Sequence, residues 1–457
     1  MPSAYNASQV KRALLVSTYE IGRQPFGLAS PAAWLKAAGW DVVCADVAKE
    51  ALQAAAVVSA DLVGFHLPMH TATRLAGPVI QRIRRDNPAA RLCAYGLYAP
   101  LNEEWLRSLG VDAVFGGEFE ADLTRWAEGE PAPLRALESL TGRRVPRLHF
   151  LVPDRRGLPP LSQYAALRLP NGQRRTVGYT EATRGCKHLC RHCPVVPIYD
   201  GQFRVVQQDV VLADIAAQVA CGAEHVTFGD PDFLNGPAHA MRIVEALHRA
   251  HPTVSYDVTI KIEHLLKYRD LLPRLAGTLC AFVTSAVESV DDRVLAILDK
   301  GHTRQGFLEA VRICRGAGLT LIPTFVAFHP WLTLDGYCDL LDTIERLGLV
   351  DHVAPIQLAL RLLVPEGSRL LLVEEMRRHL GAFDRSTLTY RWSHSDSRIE
   401  ALYHDVSAVV GASAARGAHV FAEISRLAHE RTGLVARDSR PARHRATVPY
   451  LDEPWYC

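Results

Sequence analysis

The sequence predicts an α/β protein with a doubly wound parallel sheet, a partial (β/α)6 barrel and a mostly helical C-terminal extension. Two long stretches of the chain alternate short apolar strands with helical patterns, which is typical of parallel sheets covered by helices. A segment rich in Pro, Gly and Arg separates these stretches. The predicted organisation is therefore a sheet domain at 1–130, a linker at 131–172, a barrel at 173–369 and an extension at 370–457.

The first stretch predicts a parallel, doubly wound sheet. Strands are expected at Ala13–Thr18, Asp41–Asp46, Ala60–His66, Arg91–Gly96 and Asp112–Gly116. Helices are expected near Pro31–Ala38, Thr71–Arg84, Glu103–Leu109 and Glu118–Ala127. Doubly wound sheets bind ligands outside the carboxyl ends of their strands, where the strand order reverses, so a ligand site is expected at that edge.

The second stretch predicts six strand–helix units, which favour a full or partial parallel barrel with its chemistry at the carboxyl ends of the strands. Strands are expected at Val177–Ala182, His225–Phe228, Val254–Ile260, Cys280–Ser285, Thr320–Phe328 and His352–Leu360. Helices are expected at Val210–Ala220, Pro237–Ala250, Glu263–Leu275, Arg293–Leu298, Arg304–Ala317 and Leu334–Leu347. The extension is expected to be helical until about Gly433 and then to become a basic tail.

Composition excludes several classes of protein. The chain has 457 residues, of which 48% are hydrophobic, and its net charge of +2 is too small for a disordered chain. A balance of 51 basic and 49 acidic residues argues against a nucleic-acid or membrane-surface binder. The segment Met1–Lys11 has no apolar signal core, so a cytoplasmic protein with reduced thiols is expected.

Three of the ten cysteines form a tight cluster, Cys186, Cys190 and Cys193, directly after the first predicted barrel strand. A loop with this spacing can place three thiolates around one inorganic group. A zinc ion would need a fourth ligand, which His188 or His192 could supply. A 4Fe–4S cluster is normally held by four thiolates, so three would leave one iron open to an external ligand. Chance clustering is the third interpretation.

The Cys-x3-Cys-x2-Cys spacing at the end of the first strand of a partial barrel resembles the radical S-adenosylmethionine (SAM) superfamily. The resemblance implies a 4Fe–4S cluster on Cys186, Cys190 and Cys193, whose open iron chelates the amino and carboxylate groups of SAM. It further implies reductive cleavage of SAM to a 5′-deoxyadenosyl radical, and an electron donor such as flavodoxin or ferredoxin. His192 holds the position that usually packs near adenine.

The resemblance also assigns roles to polar residues that follow the later barrel strands. Gly229 and Asp230 follow the second strand, Glu288 and Ser289 the fourth, and Arg361 the sixth. In the superfamily these positions contact SAM, so all five are expected near its amino, ribose and carboxylate groups. The stretches Ser285–Ser289, Leu298–His302 and Arg361–Ser368 look like the cobalamin-linked branch of the superfamily.

The N-terminal stretch resembles the cobalamin-binding, Rossmann-like domain that precedes many such barrels, through Pro25–Leu28, Ala37–Trp40 and Asp112–Glu118. The Asp-x-His-x-x-Gly motif of domains with a histidine lower ligand is not found in the sequence. Two hypotheses follow. Either the domain binds cobalamin, or it kept the fold as a cover or docking surface for the substrate.

The C-terminal residue, Cys457, suggests a further resemblance. With the cysteine loop and the stretch Gly229–Asn235, this ending resembles the CUAEP/CCAEP-tail radical SAM family, whose members end in Cys-Sec-Ala-Glu-Pro or Cys-Cys-Ala-Glu-Pro. The hypothesis is a selenoprotein-like tail that continues through a selenocysteine codon. An incidental thiol at a frayed terminus is the simpler interpretation.

Together these patterns and resemblances predict a radical SAM enzyme that uses a 4Fe–4S cluster to cleave SAM and modifies a small-molecule or peptide substrate. Methyl transfer with cobalamin and aminocarboxypropyl transfer to trivalent arsenic are the two transferase reactions considered. The alternative is a non-catalytic iron–sulfur or zinc protein. Neither a membrane nor a nucleic acid is expected as a partner.

Overall fold

The computed structural model describes residues 10–132, 136–137, 142, 144–412, 420–433 and 447–453. The chain forms two compact units, Met1–Gln163 and Tyr164–Cys457, and the boundary lies inside the predicted linker. The basic segment Arg437–Arg445 and Cys457 lie outside the described residues. Among the residues that are described, none of the helices has the length and apolar character needed to cross a membrane.

The first unit is a five-stranded, fully parallel sheet with strand order β2-β1-β3-β4-β5. Its strands are β1 Arg12–Ser17, β2 Asp41–Asp46, β3 Leu62–His66, β4 Arg91–Tyr95 and β5 Ala113–Phe115. Its helices are α1 Phe26–Ala37, α2 Ala54–Val58, α3 His70–Asp86, α4 Glu103–Ser108 and α5 Glu120–Ala127. The strands are almost entirely buried because helices cover both faces of a doubly wound sheet.

The second unit contains a seven-stranded sheet and two small hairpins. Its first strands and helices are β6 Ala166–Arg168, β7 Arg174–Thr180, β8 Thr183–Gly185, α6 Val196–Tyr199, β9 Phe203–Val205, α7 Gln208–Ala220, β10 His225–Phe228, α8 Pro237–Ala250, β11 Ser255–Thr259, α9 Ile262–Lys267 and α10 Leu272–Gly277. The others are β12 Cys280–Glu288, α11 Asp292–Leu298, α12 Arg304–Gly316, β13 Leu321–Phe325, α13 Leu334–Arg346, α14 Glu374–Arg377, β14 Leu380–Asp384, β15 Thr389–Trp392, α15 Ser397–Ala412, α16 Val420–Thr432 and β16 Tyr450–Leu451.

Five parallel strands, in the order β13-β12-β11-β10-β7, form the curled part of the large sheet. Beyond β7, the strands β6 and β16 add on antiparallel. The α/β class predicted from the sequence is therefore confirmed. Because neighbouring parallel strands end on the same side, the loops after β7, β10, β11 and β12 meet at one edge.

The sixth barrel strand predicted at His352–Leu360 is replaced by short 3-10 turns at Val350–His352 and Pro355–Leu358. Only one parallel bridge, between Phe328 and Arg361, continues the sheet there. Pro355 has no N–H to donate to a strand partner, and the side-chain Oε1 of Gln357 accepts the N–H of Phe325 at 3.1 Å. The side chain of Gln357 thus satisfies an edge donor that a sixth strand would have paired.

Candidate active site

The three clustered cysteines lie on one closed loop, residues 186–193, here called the cysteine loop. Strand β8, which ends at Gly185, pairs antiparallel with β9 and so brings the two ends of the longer segment 186–202 together. Gly185 has a φ of +75°, and a Cβ there would lie 2.4 Å from the carbonyl oxygen of Gln202. Only glycine fits this position without strain, so the backbone enters the cysteine loop in a fixed direction.

Hydrogen bonds fix the middle of the cysteine loop to the barrel. The backbone N–H of Arg191 donates to the carbonyl oxygen of Leu298 at 2.9 Å, and its guanidinium donates to that of Ile297 at 2.9 Å. The hydroxyl of Ser368 donates to the carbonyl oxygen of Arg191 at 3.3 Å. The loop is therefore held between the end of helix α11 and the segment that follows the barrel.

The environment of the three thiols suits the binding of an iron–sulfur cluster. Cys186 and Cys190 are buried, Cys193 is half-buried, and all nine cysteines among the described residues are free. Burial raises the pKa of Cys193 to about 12, so its proton must leave when a metal binds. The ammonium of Lys261 lies 3.7 Å from Sγ of Cys190, where it would offset the charge of thiolates bound to iron. The donor set thus fits an iron–sulfur cluster.

Glu288, at the end of β12, is a buried carboxylate with two cationic or ionisable neighbours. Its Oε1 lies 3.1 Å from Nε2 of His192 and 3.2 Å from Nζ of Lys300. Burial opposes ionisation of Glu288, but Lys300 and His192 outweigh it and hold the pKa of Glu288 at about 2. The residue also has a φ of +68°, an uncommon conformation for glutamate. The arrangement links the cysteine loop to the fourth strand end.

Asp230 is fully engaged by the segment that leads into the cysteine loop. Its two carboxylate oxygens accept the N–H of Ala182 at 2.9 Å and the hydroxyl of Thr183 at 2.5 Å. Burial raises the pKa of Asp230 to about 7 in spite of these hydrogen bonds. Asp230 therefore fixes the backbone that leads into the cysteine loop. Its expected contact with SAM stays a prediction.

Gly229 lies directly against the ring of Tyr179, and a Cβ at this position would come within 1.8 Å of the tyrosine Oη. We expect Gly229→Ala to lower the free energy of unfolding by about 1–3 kcal/mol, since overpacking a closed site forces its neighbours apart. Gly277→Ala is the matched control, because its added methyl meets no atom within 4 Å. Urea unfolding of both variants checks this, and equal midpoints for the two would contradict it.

Ser289 and Arg361 are also held by protein groups. The hydroxyl of Ser289 accepts the N–H of Asp291 at 3.1 Å. The guanidinium of Arg361 forms two hydrogen bonds with the carboxylate of Glu400, at 2.7 and 2.9 Å, and stacks on Trp392 with 3.8 Å between the guanidinium carbon and the ring centre. A bidentate pair of this kind is strong. The contact of either residue with SAM stays a prediction.

A cavity of about 280 Å³ lies beside Glu288 and Ser289 and is also lined by His329 and Trp331. His329 directly follows the fifth predicted barrel strand, where a parallel barrel places its chemistry. The sequence did not identify Lys300 as a site residue, because its partner Glu288 is twelve residues away on another element, nor His264, which faces Asp232. The spacing of these pairs follows no local period, so only their position at strand ends could have signalled them.

Burial lowers the pKa of His329 to about 3, because its charged form would lie in a closed site. Between about pH 6.5 and 3 the unfolded chain therefore binds a proton that the folded chain excludes, and stability falls as the pH falls through this window. We expect His329→Gln to lose less stability than the wild type between pH 7.5 and 5, as measured by urea unfolding. His404→Gln, at an exposed histidine, is the control. An unchanged pH dependence in His329→Gln would contradict the expectation.

A comparison with known protein families agrees with an iron–sulfur site on the cysteine loop. Residues 180–347 match the model described as the Radical SAM superfamily. The chain therefore carries a radical SAM domain, a domain of enzymes that use a 4Fe–4S cluster and SAM as cofactors. The class that the resemblance implied is confirmed for this domain, which is that of an enzyme and not of a non-catalytic iron–sulfur or zinc protein. The CUAEP/CCAEP tail stays a prediction, since Cys457 is not among the described residues.

Among curated proteins the chain is similar to tRNA-2-methylthio-N(6)-dimethylallyladenosine synthases. The protein of Desulfosudis oleivorans is 28% identical over 189 residues, which are 37% of this chain and 38% of that protein. The protein of Bordetella petrii is 26% identical over 288 residues, 59% of this chain and 55% of that protein. The chain thus spans about two fifths of the length of the first relative and just over half of the second.

Two solved structures are similar in fold to most of this chain. The cobalamin-dependent SAM radical enzyme OxsB, with aqua-cobalamin bound, has a TM-score of 0.67 at 14% identity and covers 89% of this chain and 67% of its own. The radical SAM methyltransferase TsrM of Kitasatospora setae, with tryptophan and a SAM analogue bound, has a TM-score of 0.60 at 18% identity, covering 74% and 71%. These likenesses concern the fold.

Proposed function

We propose that the chain is a cobalamin-dependent radical SAM methyltransferase acting on a small molecule. The observation that carries the proposal is the N-terminal unit, a doubly wound sheet of order β2-β1-β3-β4-β5. A fold likeness that extends over 89% of the chain to OxsB supports it. The tRNA-modifying relatives cover a smaller part of the chain.

The switch point of the N-terminal sheet lies between β1 and β3, where doubly wound sheets bind cofactors. Ser17, Glu20 and His66 are buried there. Ser17 Oγ has no hydrogen-bond partner among the described residues, and Glu20 Oε2 and His66 Nδ1 have none apart from their 3.5 Å contact with each other. Buried polar atoms are normally paired, so this edge suits a polar ligand. A Cβ on Gly27 would lie 2.1 Å from the His66 ring, so glycine lets helix α1 approach this residue closely.

These residues fit cobalamin, which would be held at this edge by Ser17, Glu20 and His66. When bound, cobalamin supplies a cobalt centre that can carry a methyl group. In the barrel, Cys186, Cys190 and Cys193 would hold the cluster, and Glu288 would orient His192 beside it through their 3.1 Å contact. The cavity of about 280 Å³ beside Glu288 suits a small molecule or part of one. A flavodoxin or ferredoxin would supply electrons, and a reducing cytoplasm suits the free cysteines.

The test is corrinoid content. Protein purified without oxygen from cells supplied with cobalamin should contain one corrinoid per chain, detected by ultraviolet–visible absorption and mass spectrometry. His66→Ala should lower occupancy at least about tenfold, by analogy with the loss of a cofactor's supporting contacts. His404→Gln should leave it unchanged. A wild-type protein that carries its iron–sulfur cluster but never corrinoid would overturn the proposal.

A further inference from the structure

We propose a second metal site, for a divalent cation of the zinc type, formed by His188, Asp232 and His264. The three residues come from different elements: the cysteine loop, the segment after β10 and the first turn of α9. All three elements lie at the carboxyl ends of the barrel strands. The site is distinct from the cluster, because its ligand atoms are imidazole nitrogens and a carboxylate oxygen.

The distances are those of a compact donor set. Oδ2 of Asp232 lies 2.6 Å from Nδ1 of His264 and 3.5 Å from Nε2 of His188. Ligand atoms around a tetrahedral zinc ion lie about 3.3 Å apart, given zinc–ligand bonds of about 2.0–2.1 Å. Sγ of Cys186, which is assigned to the cluster, lies within 4.8 Å of the ligand atoms of His188 and Asp232, so the two sites would be neighbours. Small side-chain rotations would be needed to widen the 2.6 Å separation of Asp232 Oδ2 and His264 Nδ1 to the separation of zinc ligands.

The donor atoms are buried and face one another. Asp232 is 0% exposed and His264 is 4% exposed. Asp232 Oδ2 lies at ion-pair distance from both His264 Nδ1 and His188 Nε2, and among the described residues these three atoms have no hydrogen-bond partner outside the trio. A cation among the three atoms would satisfy all of them at once.

The other nitrogen of His188 has the partner that metal-binding histidines require. Nδ1 of His188 lies 3.4 Å from Oε2 of Glu263, which fixes the ring so that Nε2 points to the donor set. A carboxylate behind a ligating histidine is the usual supporting contact of zinc sites. Two histidines and one carboxylate leave a fourth position open for water or a substrate atom.

A metal at this site would also position the cysteine loop. His188 is only two residues from Cys186 in the cysteine loop. An ion shared by His188, Asp232 and His264 would tie the loop to the second and third strand ends. This gives the site a structural role as well as an open coordination position.

The test compares zinc and cluster iron in the same holoprotein. Wild-type protein reconstituted without oxygen and treated with Zn²⁺ should retain one zinc ion per chain besides the iron and sulfide of its cluster. Asp232→Asn and His264→Gln should each lower zinc affinity by about 10–100-fold or more while the cluster iron stays. Asp257→Asn is the matched control, since Asp257 pairs with buried His225 at 2.9 Å in an aligned hydrogen bond.

Three results would overturn the proposal: wild-type protein that retains no zinc, equal zinc in wild type and Asp232→Asn, or loss of zinc and cluster iron together in Asp232→Asn but not in Asp257→Asn. If the variants fail to fold, wild-type holoprotein answers the question by itself. Co²⁺ should then give the electron paramagnetic resonance signal of a protein-bound high-spin ion while the oxidised cluster is silent, and Zn²⁺ should displace it. A spectrum of free Co²⁺ only would contradict the site.

Discussion

Replacing Cys190 with alanine is expected to remove the iron–sulfur cluster and, with it, cleavage of SAM. Cys190 is buried, lies on the cysteine loop with Cys186 and Cys193, and is 3.7 Å from the ammonium of Lys261. Two thiolates cannot hold a cluster that normally takes four ligands. Iron and sulfide content should fall to background, and 5′-deoxyadenosine formation should fall by more than the roughly 10–100-fold cost of losing a supporting contact.

Cys221→Ala is the matched control for this loss. Cys221 is exposed at the end of α7, so its removal should leave both iron content and SAM cleavage unchanged. Circular dichroism of both variants separates loss of the cluster from loss of the fold. A Cys190→Ala protein that keeps a full cluster would show that another side chain serves as the ligand, and the assignment of the cysteine loop would fail.

Replacing Lys300 with methionine is expected to cost about 3–5 kcal/mol of unfolding free energy, the usual cost of removing one partner of a buried ion pair. Lys300 is 3% exposed, and its Nζ lies 3.2 Å from the buried carboxylate of Glu288. The remaining partner would be the imidazole of His192, whose Nε2 lies 3.1 Å from Oε1 of Glu288. Glu288 would then be left with a poorly compensated charge.

The same pair makes stability depend on pH. The pKa of Glu288 is lowered from 4.5 to about 2, so ionised Glu288 stabilises the fold above pH 4.5, and this stabilisation is lost as the pH falls towards 2. Urea unfolding at pH 7 measures the effect of Lys300→Met. Arg312→Met, which removes an exposed partner of Glu309, is the control and should leave the midpoint unchanged. A Lys300→Met midpoint equal to that of Arg312→Met would contradict the buried pair.

Much of the fold could be predicted because its parallel strands are buried apolar runs separated by helical patterns. The strands at Asp41–Asp46 and His225–Phe228 have the predicted bounds. The prediction of a sixth barrel strand was wrong because Pro355 and the side chain of Gln357 end the sheet there. An apolar sequence pattern does not reveal such an ending. The hairpin of β14 and β15 was not predicted, because β14 has no fully buried residue and lacks a clear alternation of buried and exposed positions.

In the candidate site, too, the sequence revealed local features but not contacts between distant residues. Cys186, Cys190 and Cys193 are close in sequence, so their spacing alone indicated a shared inorganic ligand. The pairing of Arg361 with Glu400 joins residues 39 positions apart on separate elements, and no local pattern predicts it. Asp230 was correctly placed at a strand end, but its partners, Ala182 and Thr183, lie 48 and 47 residues earlier. Long-range pairs of this kind emerge only from the folded chain.

The most direct test of the account is the electron paramagnetic resonance spectrum of the reduced, reconstituted wild-type protein with and without SAM. Three thiolates on the cysteine loop leave one iron open, so the account predicts a reduced 4Fe–4S signal that changes when SAM binds to that iron. A cluster signal that stays the same at saturating SAM, or a protein that forms no cluster, would contradict it.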